Sequence, residues 1–140
     1  MSTATCGLSR NVPTFELFVD DVDDVEVSIR FYQAVLGLNP PPTYDPDGYV
    51  PVSDGAVTIG LQQHTALPPG HHFRPEDFKG PRGVGVEIVV EVNDVHAAFT
   101  RATDAVVGYG RRLEQLDDRP WGRTDFGVID PDGYYVRVTS

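Results

Sequence analysis

Two stretches of this chain alternate apolar and polar residues and then end alike: TFELFVDDV, Thr14 to Val22, and EIVVEVNDV, Glu87 to Val95. Alternation of period two predicts a half-buried strand, and the Asx residues behind it predict a helix start. The first helix is expected through VEVSIRFYQAVLG, with Gly37 just past its end, and the second through VHAAFTRATDAVVG, ending near Gly108. Ile29, Tyr32, Val35 and Leu36 form an apolar stripe on the first; Val95, Ala98, Phe99 and Ala102 do so on the second. Further strands are expected around YVPVSD and AVTIGLQQ in the first half, and in RRLEQLDD, TDFGVID and YYVRVTS in the second. Asp54-Gly55 and Asp132-Gly133 mark the turns of the two final hairpins. The plan is strand, helix and three strands, twice, in one domain. Its modules cover about 12–64 and 84–140, joined by a Pro/Gly/His-rich segment at about 65–83 that is long enough to be a lid.

Alternation also assigns faces. Val84, Val86, Ile88, Val90 and Val92 form one apolar row suited to packing on helices, which leaves Glu87 and Val89 on the other face. In the first strand Phe15, Leu17 and Val19 back the helices, while Thr14, Glu16 and Phe18 face away. By the same rule Thr58, Gly60 and Gln62 face away from the helices, as do Tyr135, Arg137 and Thr139.

Composition narrows the partners. The chain has 140 residues, 40% of them hydrophobic, which suits a single domain with a real core. The net charge of −10 argues against nucleic acid, whose phosphates need a basic face. The acidic run DDVDDVE, Asp20 to Glu26, suits a helix start, and its field would also attract a cationic ligand. No apolar run approaches the roughly 20 residues of a membrane span, and no leader-like apolar segment opens the chain. A lone Cys6 makes no internal disulfide, so a cytoplasmic protein is expected.

Three motifs in this order carry a resemblance: Phe31-Tyr32 followed by VLGL, the VNDV opening of the second helix, and DPDGYYVRV near the end. Over about residues 12–139 the chain resembles the vicinal oxygen chelate superfamily. That group holds glyoxalase I, extradiol dioxygenases, fosfomycin-resistance enzymes and bleomycin-resistance proteins. The resemblance implies an α+β fold of two βαβββ modules. Their mixed sheets curl into a cup-shaped cleft, and two chains pair as a homodimer sharing two such sites. It also implies four metal-ligand positions. Mapped onto this chain they fall on Thr14, on Gly60 or Ile59, on Glu87 and on Arg137. Only Glu87 is a usable ligand, and a guanidinium repels a metal ion, so no metal and no cofactor are expected.

Glu87 and Arg137 would then form an ion pair where two ligands would share a metal. Either the pair is structural, or it anchors a polar group of a bound molecule. His64, His71 and His72 are expected to face solvent, and His96 to lie on the second helix outside the cup. Among aromatics, Tyr44, Tyr49, Phe18, Trp121, Phe126 and Tyr135 lie on or beside cup-facing strands, and Trp121 sits in a Pro-Gly turn where a flat ligand could stack. DDRPWGRTDF and RGVGVEI look like the bleomycin-resistance-like branch, which sequesters a drug without chemistry.

The expected activity is thus metal-free binding of a small, partly aromatic and cationic molecule, with no catalytic residue. The expected contacts are Thr14, Glu16, Phe18, Tyr49, Gln62, Glu87, Val89, Trp121, Phe126, Tyr135 and Arg137. The alternative is a lyase, isomerase or oxygenase with a metal on Glu16, Glu87 and His64, or with Glu87 as a metal-free base.

Overall fold

The computed structural model describes residues 13–19, 24–109 and 113–140. Cys6, most of the Asp20–Glu26 run and the two arginines opening RRLEQLDD lie outside those residues. The chain order is β1 (Thr14–Val19), α1 (Asp24–Leu36), β2 (Val50–Ser53), β3 (Thr58–Gln63), β4 (Glu87–Glu91), α2 (Val95–Tyr109), β5 (Asp117–Asp118), β6 (Thr124–Ile129) and β7 (Tyr135–Thr139). Two sheets result, ordered β1-β3-β2 and β4-β7-β6-β5. In each, the opening strand runs parallel to the final one, Thr14 level with Thr58 and Glu87 level with Tyr135. The repeat read in the sequence is therefore a repeat of topology, and the α+β class of two βαβββ modules holds. The second strand of the first module, the first after α1, shrinks to a single bridge, Asn39 with Ser53. Pro40, Pro41 and Pro42 follow that bridge and have no N–H to extend a ladder.

The end of α1 and the start of α2 follow their sequences. Gly37, at φ +70°, closes α1 by donating to Gln33 O, and Leu38 N–H reaches back to Tyr32 O. Asp94 Oδ1 accepts the Ala97 N–H at 3.0 Å and caps α2. The expected stripe of α1 is buried throughout, and Phe31 is buried with it because α1 also meets α2. The Arg101 guanidinium of α2 donates to Ala34 O of α1 at 3.2 Å. On α2, Val95, Ala98 and Ala102 are buried, while Phe99 meets Phe126 edge-on at 5.2 Å.

The turn DPDG fastens the second module to the first. Asp130 is fully buried, and its Oδ1 accepts the N–H groups of Asp132, Gly133 and Tyr134 at 2.9, 3.0 and 2.9 Å. Its Oδ2 accepts the Tyr32 hydroxyl of α1 at 2.7 Å, and Asp132 accepts Ser28 at 3.2 Å. Burial pushes the Asp130 carboxyl up to about 6 against the pull of those donors, and burial also raises the Tyr32 hydroxyl.

Two face assignments fail. Phe15 is 46% exposed, and Val84 and Val86 are 77% and 57% exposed. Val84 and Val86 precede β4, so no ladder fixes their alternation, and Phe15 lies near the open end of β1 where no helix covers it. Leu17, Val19, Ile88 and Val90 face the helices as expected.

Candidate functional site

The face of the second sheet turned away from the helices carries charge. Arg137 on β7 lies 3.8 Å from Glu87 on β4 and 3.5 Å from Asp125 on β6. Asp125 is nearly sealed, its side chain 2% exposed, and its Oδ1 accepts the Arg119 Nε–H at 2.8 Å. One carboxylate thus serves two guanidiniums. Asp125 Oδ2 and Arg137 Nε are nonetheless buried without a hydrogen bond, so the Arg137 pairing is electrostatic and imperfectly aimed. Tyr135 stands beside this cluster with its hydroxyl bonded to Glu114, and the pair covers Gly127 so closely that a Cβ there would collide with both. At the sheet's far side Arg123 meets Glu91 at 3.3 Å.

The first sheet offers a different surface. Tyr49 lays its ring over Gly60, which is level with Glu16 on β1, and burial followed by the Glu16 charge raises its hydroxyl. Next to it the segment 64–83 folds back as a strap. Phe18 is its anchor, with Phe73 and Phe78 edge-on at 5.5 and 5.7 Å and His71 at 6.0 Å. The strap is tied to the backbone of β1: Arg82 Nη1 donates to Phe18 O at 2.8 Å, and the Tyr134 hydroxyl donates to the same oxygen at 3.0 Å. Phe18 N–H returns to that hydroxyl at 3.2 Å. These contacts block the hydrogen-bonding edge of β1, a strand with no neighbour on that side. Between β1, the strap and the start of β7 lies a cavity of about 320 Å³.

The cavity brings together Glu16, Phe18 and Tyr135 from the expected set, with Phe73, Phe78, Arg82 and Tyr134. Glu87, Val89, Tyr135 and Arg137 share the open face of the second sheet, Val89 level with Arg137. Thr14 opens the β1–β3 ladder, and Gln62 is level with Phe18 near its other end. Phe126 does not belong to either surface. Asp125, Gly127 and Ile129 are level with Thr139, Arg137 and Tyr135, so the alternate residue Phe126 turns inward, fully buried against Phe99. Trp121 stands 62% exposed at the β5–β6 hairpin and does not line the cavity. Nor are all the linker histidines simple solvent-facing groups: His64 stacks on Phe78 at 4.9 Å, and His71 is half-buried against Phe18. His96 is exposed on α2 as expected.

Asp125, Arg119 and Glu114 escaped the sequence reading, although alternation in TDFGVID could have put Asp125 beside Arg137. Nothing local in KGPRG could have shown Arg82 reaching β1.

The metal-ligand positions implied by the resemblance do not fit a metal here. Gly60 is covered by Tyr49, Ile59 is in the core, and Arg137 puts a permanent cation between two carboxylates. The alternative set fares no better. His64 is stacked in the strap while Glu87 is held by Arg137, and among the described residues no three His, Cys, Asp or Glu side chains group to hold a metal.

The family model for the Glyoxalase/Bleomycin resistance protein/Dioxygenase superfamily matches residues 15–138. None of the curated proteins matches the chain. Among solved structures, a glyoxalase/bleomycin resistance protein/dioxygenase family enzyme from Burkholderia phytofirmans PsJN is 16% identical. The match covers 93% of this chain and 98% of that one, with a TM-score of 0.69. TioX from Micromonospora sp. ML1 is 20% identical over 94% and 98%, with a TM-score of 0.65. Lactoylglutathione lyase from Agrobacterium tumefaciens is 18% identical over 94% and 93%, with a TM-score of 0.61. These likenesses establish the fold.

Proposed function

The chain belongs to the glyoxalase/bleomycin resistance protein/dioxygenase superfamily, and from that premise we propose that it binds a small organic molecule reversibly, without a resident metal. One observation carries this reading: the guanidinium of Arg137, set between Glu87 and Asp125 at 3.8 and 3.5 Å, where the family's chemistry calls for a metal ligand. Arg137 is 31% exposed and Glu87 50%, so both still reach a polar group of a bound molecule. Tyr135 and Val89 supply the flat and apolar contacts beside them. The net charge of −10 and the tyrosines favour a ligand that is partly aromatic and positively charged. Sequestration of the bleomycin-resistance type follows, in the cytoplasm. No helix among the described residues is long and apolar enough to cross a membrane.

Two copies complete the proposed grooves. β1 and β4 are both outermost strands, and exposed Phe15, Val84, Val86 and Val89 lie on or beside them. Sedimentation should therefore give twice the 15.4 kDa chain mass.

The test has two arms. The protein is loaded separately with Zn, Ni, Mn and Fe(II), desalted, and its bound metal quantified. Near zero is expected for each; about one ion per chain would overturn the reading. In parallel, 9-aminoacridine and related protonated aromatic amines are titrated by fluorescence. Glu87→Gln, which removes the exposed carboxylate of this face, is expected to weaken the best binder by about tenfold, roughly 1.4 kcal/mol. Unchanged affinity would remove the Glu87–Arg137 pair from the site.

A further inference from the structure

The cavity under the strap already holds a cation. The Arg82 guanidinium carbon sits 4.9 Å from the centre of the Phe78 ring while Nη1 donates to Phe18 O at 2.8 Å. Phe18, Phe73 and Phe78 meet pairwise edge-on at 5.5, 5.7 and 5.9 Å, which makes an aromatic wall rather than a single ring. Glu16 and Asp77 also line the space, although Asp77 Oδ2 accepts the Arg74 N–H at 2.8 Å, which leaves Glu16 as the better-placed acid. The lining thus carries two carboxylates and one guanidinium. Aromatic faces and carboxylates attract cations, and they do so more strongly when water is partly excluded. A space of about 320 Å³ lies at the lower end of ligand sites and suits one or two rings.

We propose that this cavity is a binding site for a flat organic cation, an amidinium, guanidinium or protonated amine carried on a ring, and that Arg82 is its internal occupant. The incoming cation takes the place of the Arg82 guanidinium on Phe78, with Glu16 as its counter-charge. An anion is disfavoured because Arg82 is already committed to Phe18 O and the acids outnumber it. The inference rests on the reading of the ligand as an organic cation, but it concerns a different place from the Arg137 face.

Calorimetric titration with benzamidine, and with benzoate and benzamide as the anionic and neutral matches in shape, tests it. Benzamidine is expected to bind at least ~10-fold more tightly than either. Phe78→Leu should weaken it by ~5-fold or more, since the ring face is lost. Arg82→Gln should tighten it, because the competitor is gone while Phe18 O keeps its bond from the Tyr134 hydroxyl. His96→Gln, on the exposed side of α2, should change nothing. If Arg82→Gln loosens the strap instead of freeing the wall, the Phe78→Leu result and the benzamidine-to-benzoate ratio of the native protein still decide. Equal affinity for benzoate and benzamidine would overturn the inference. So would a benzamidine affinity that falls with Glu87→Gln and ignores Phe78→Leu; that result places the cation on the open face and leaves the proposed function standing. Loss of 9-aminoacridine binding alone, with benzamidine still governed by Phe78 and Arg82, would sink the proposed function and leave the cavity.

Discussion

The two sheets share a backbone plan and carry opposite surfaces. Glu16 is level with Gly60 in the first, and Val89 is level with Arg137 in the second, so Gly60 and Arg137 occupy equivalent places. At one a tyrosine ring lies on bare backbone, next to an aromatic strap. At the other a guanidinium is held between two carboxylates. The repeat dictates where side chains point and how far apart they sit. It does not dictate what they are. A duplicated module thus supplies two positions with matched geometry that can be given separate chemistry, one for rings and one for charge.

The sharpest way to break that contrast is to remove the carboxylate that organises the charged side. Asp125→Ala strips two arginines of their shared acceptor in a nearly sealed place and is expected to destabilise by about 3 kcal/mol. Glu16→Ala, on the exposed first sheet, is expected to cost under about 1 kcal/mol. Urea unfolding of both variants measures the difference. Equal losses would mean that the charged face is as solvent-screened as the other.

Next in size is the joint between the modules. The Asp130 carboxyl titrates at about 6 in the folded protein, above the ordinary 3.8, with burial as the main cause. The native state therefore holds this proton more tightly than the unfolded chain does. Its contribution is fully present below about pH 4 and is lost as pH rises through about 6, a change of up to about 3 kcal/mol. The groups facing it are Tyr32 from α1 and Asp132 and Tyr134 from its own turn, and the Asp132 charge adds to the upward push. Stability measured from pH 4 to pH 7 should fall, and Asp130→Asn should flatten the profile. A profile unchanged by the substitution would assign the pH dependence elsewhere.

Much of this architecture was legible. The period-two runs, the Asx helix starts and the Asp-Gly turns gave the modules in order, because each rests on local backbone chemistry. Burial of Leu17, Val19, Ile88 and Val90 followed from alternation inside paired strands. Reading failed where pairing stops or where register decides. Val84 and Val86 alternate in the sequence but precede the ladder, so nothing fixes their faces. Proximity in the sequence puts Phe126 beside the cup, whereas its partner Val138 sends it to the core. The Glu87–Arg137 pair follows from the metal-ligand positions that the family resemblance implies. Asp125 joins them only through the register of β6 on β7, which sets it level with Thr139 and which no local pattern encodes. The strap was the least legible part: Arg82 reaches Phe18 across 64 positions, and no short-range pattern encodes that contact.

The smallest expected effect isolates how each tyrosine is held. Gly60 and Gly127 both lie under a tyrosine, and neither has a positive φ, so alanine strains neither backbone. A methyl at Gly60 meets the Tyr49 ring first, and that ring is 42% exposed and can swing into solvent. Removing glycine also lowers the entropy of the unfolded chain, worth about 0.4–1 kcal/mol, so Gly60→Ala should leave stability within about 0.5 kcal/mol of the original. At Gly127 the methyl meets the Tyr135 hydroxyl and the Glu114 carboxylate together, and these two are bonded to each other. It must break that bond or shift both side chains, so Gly127→Ala should cost about 1–2 kcal/mol. Parallel urea unfolding compares them. If both cost the same, the ring over Gly60 is as fixed as the bonded one over Gly127, and the first sheet's surface is no more adaptable than the second's. A neutral Gly60→Ala would instead show that Tyr49 is a movable cover on the aromatic side of the molecule, beside a charged side whose parts hold one another in place.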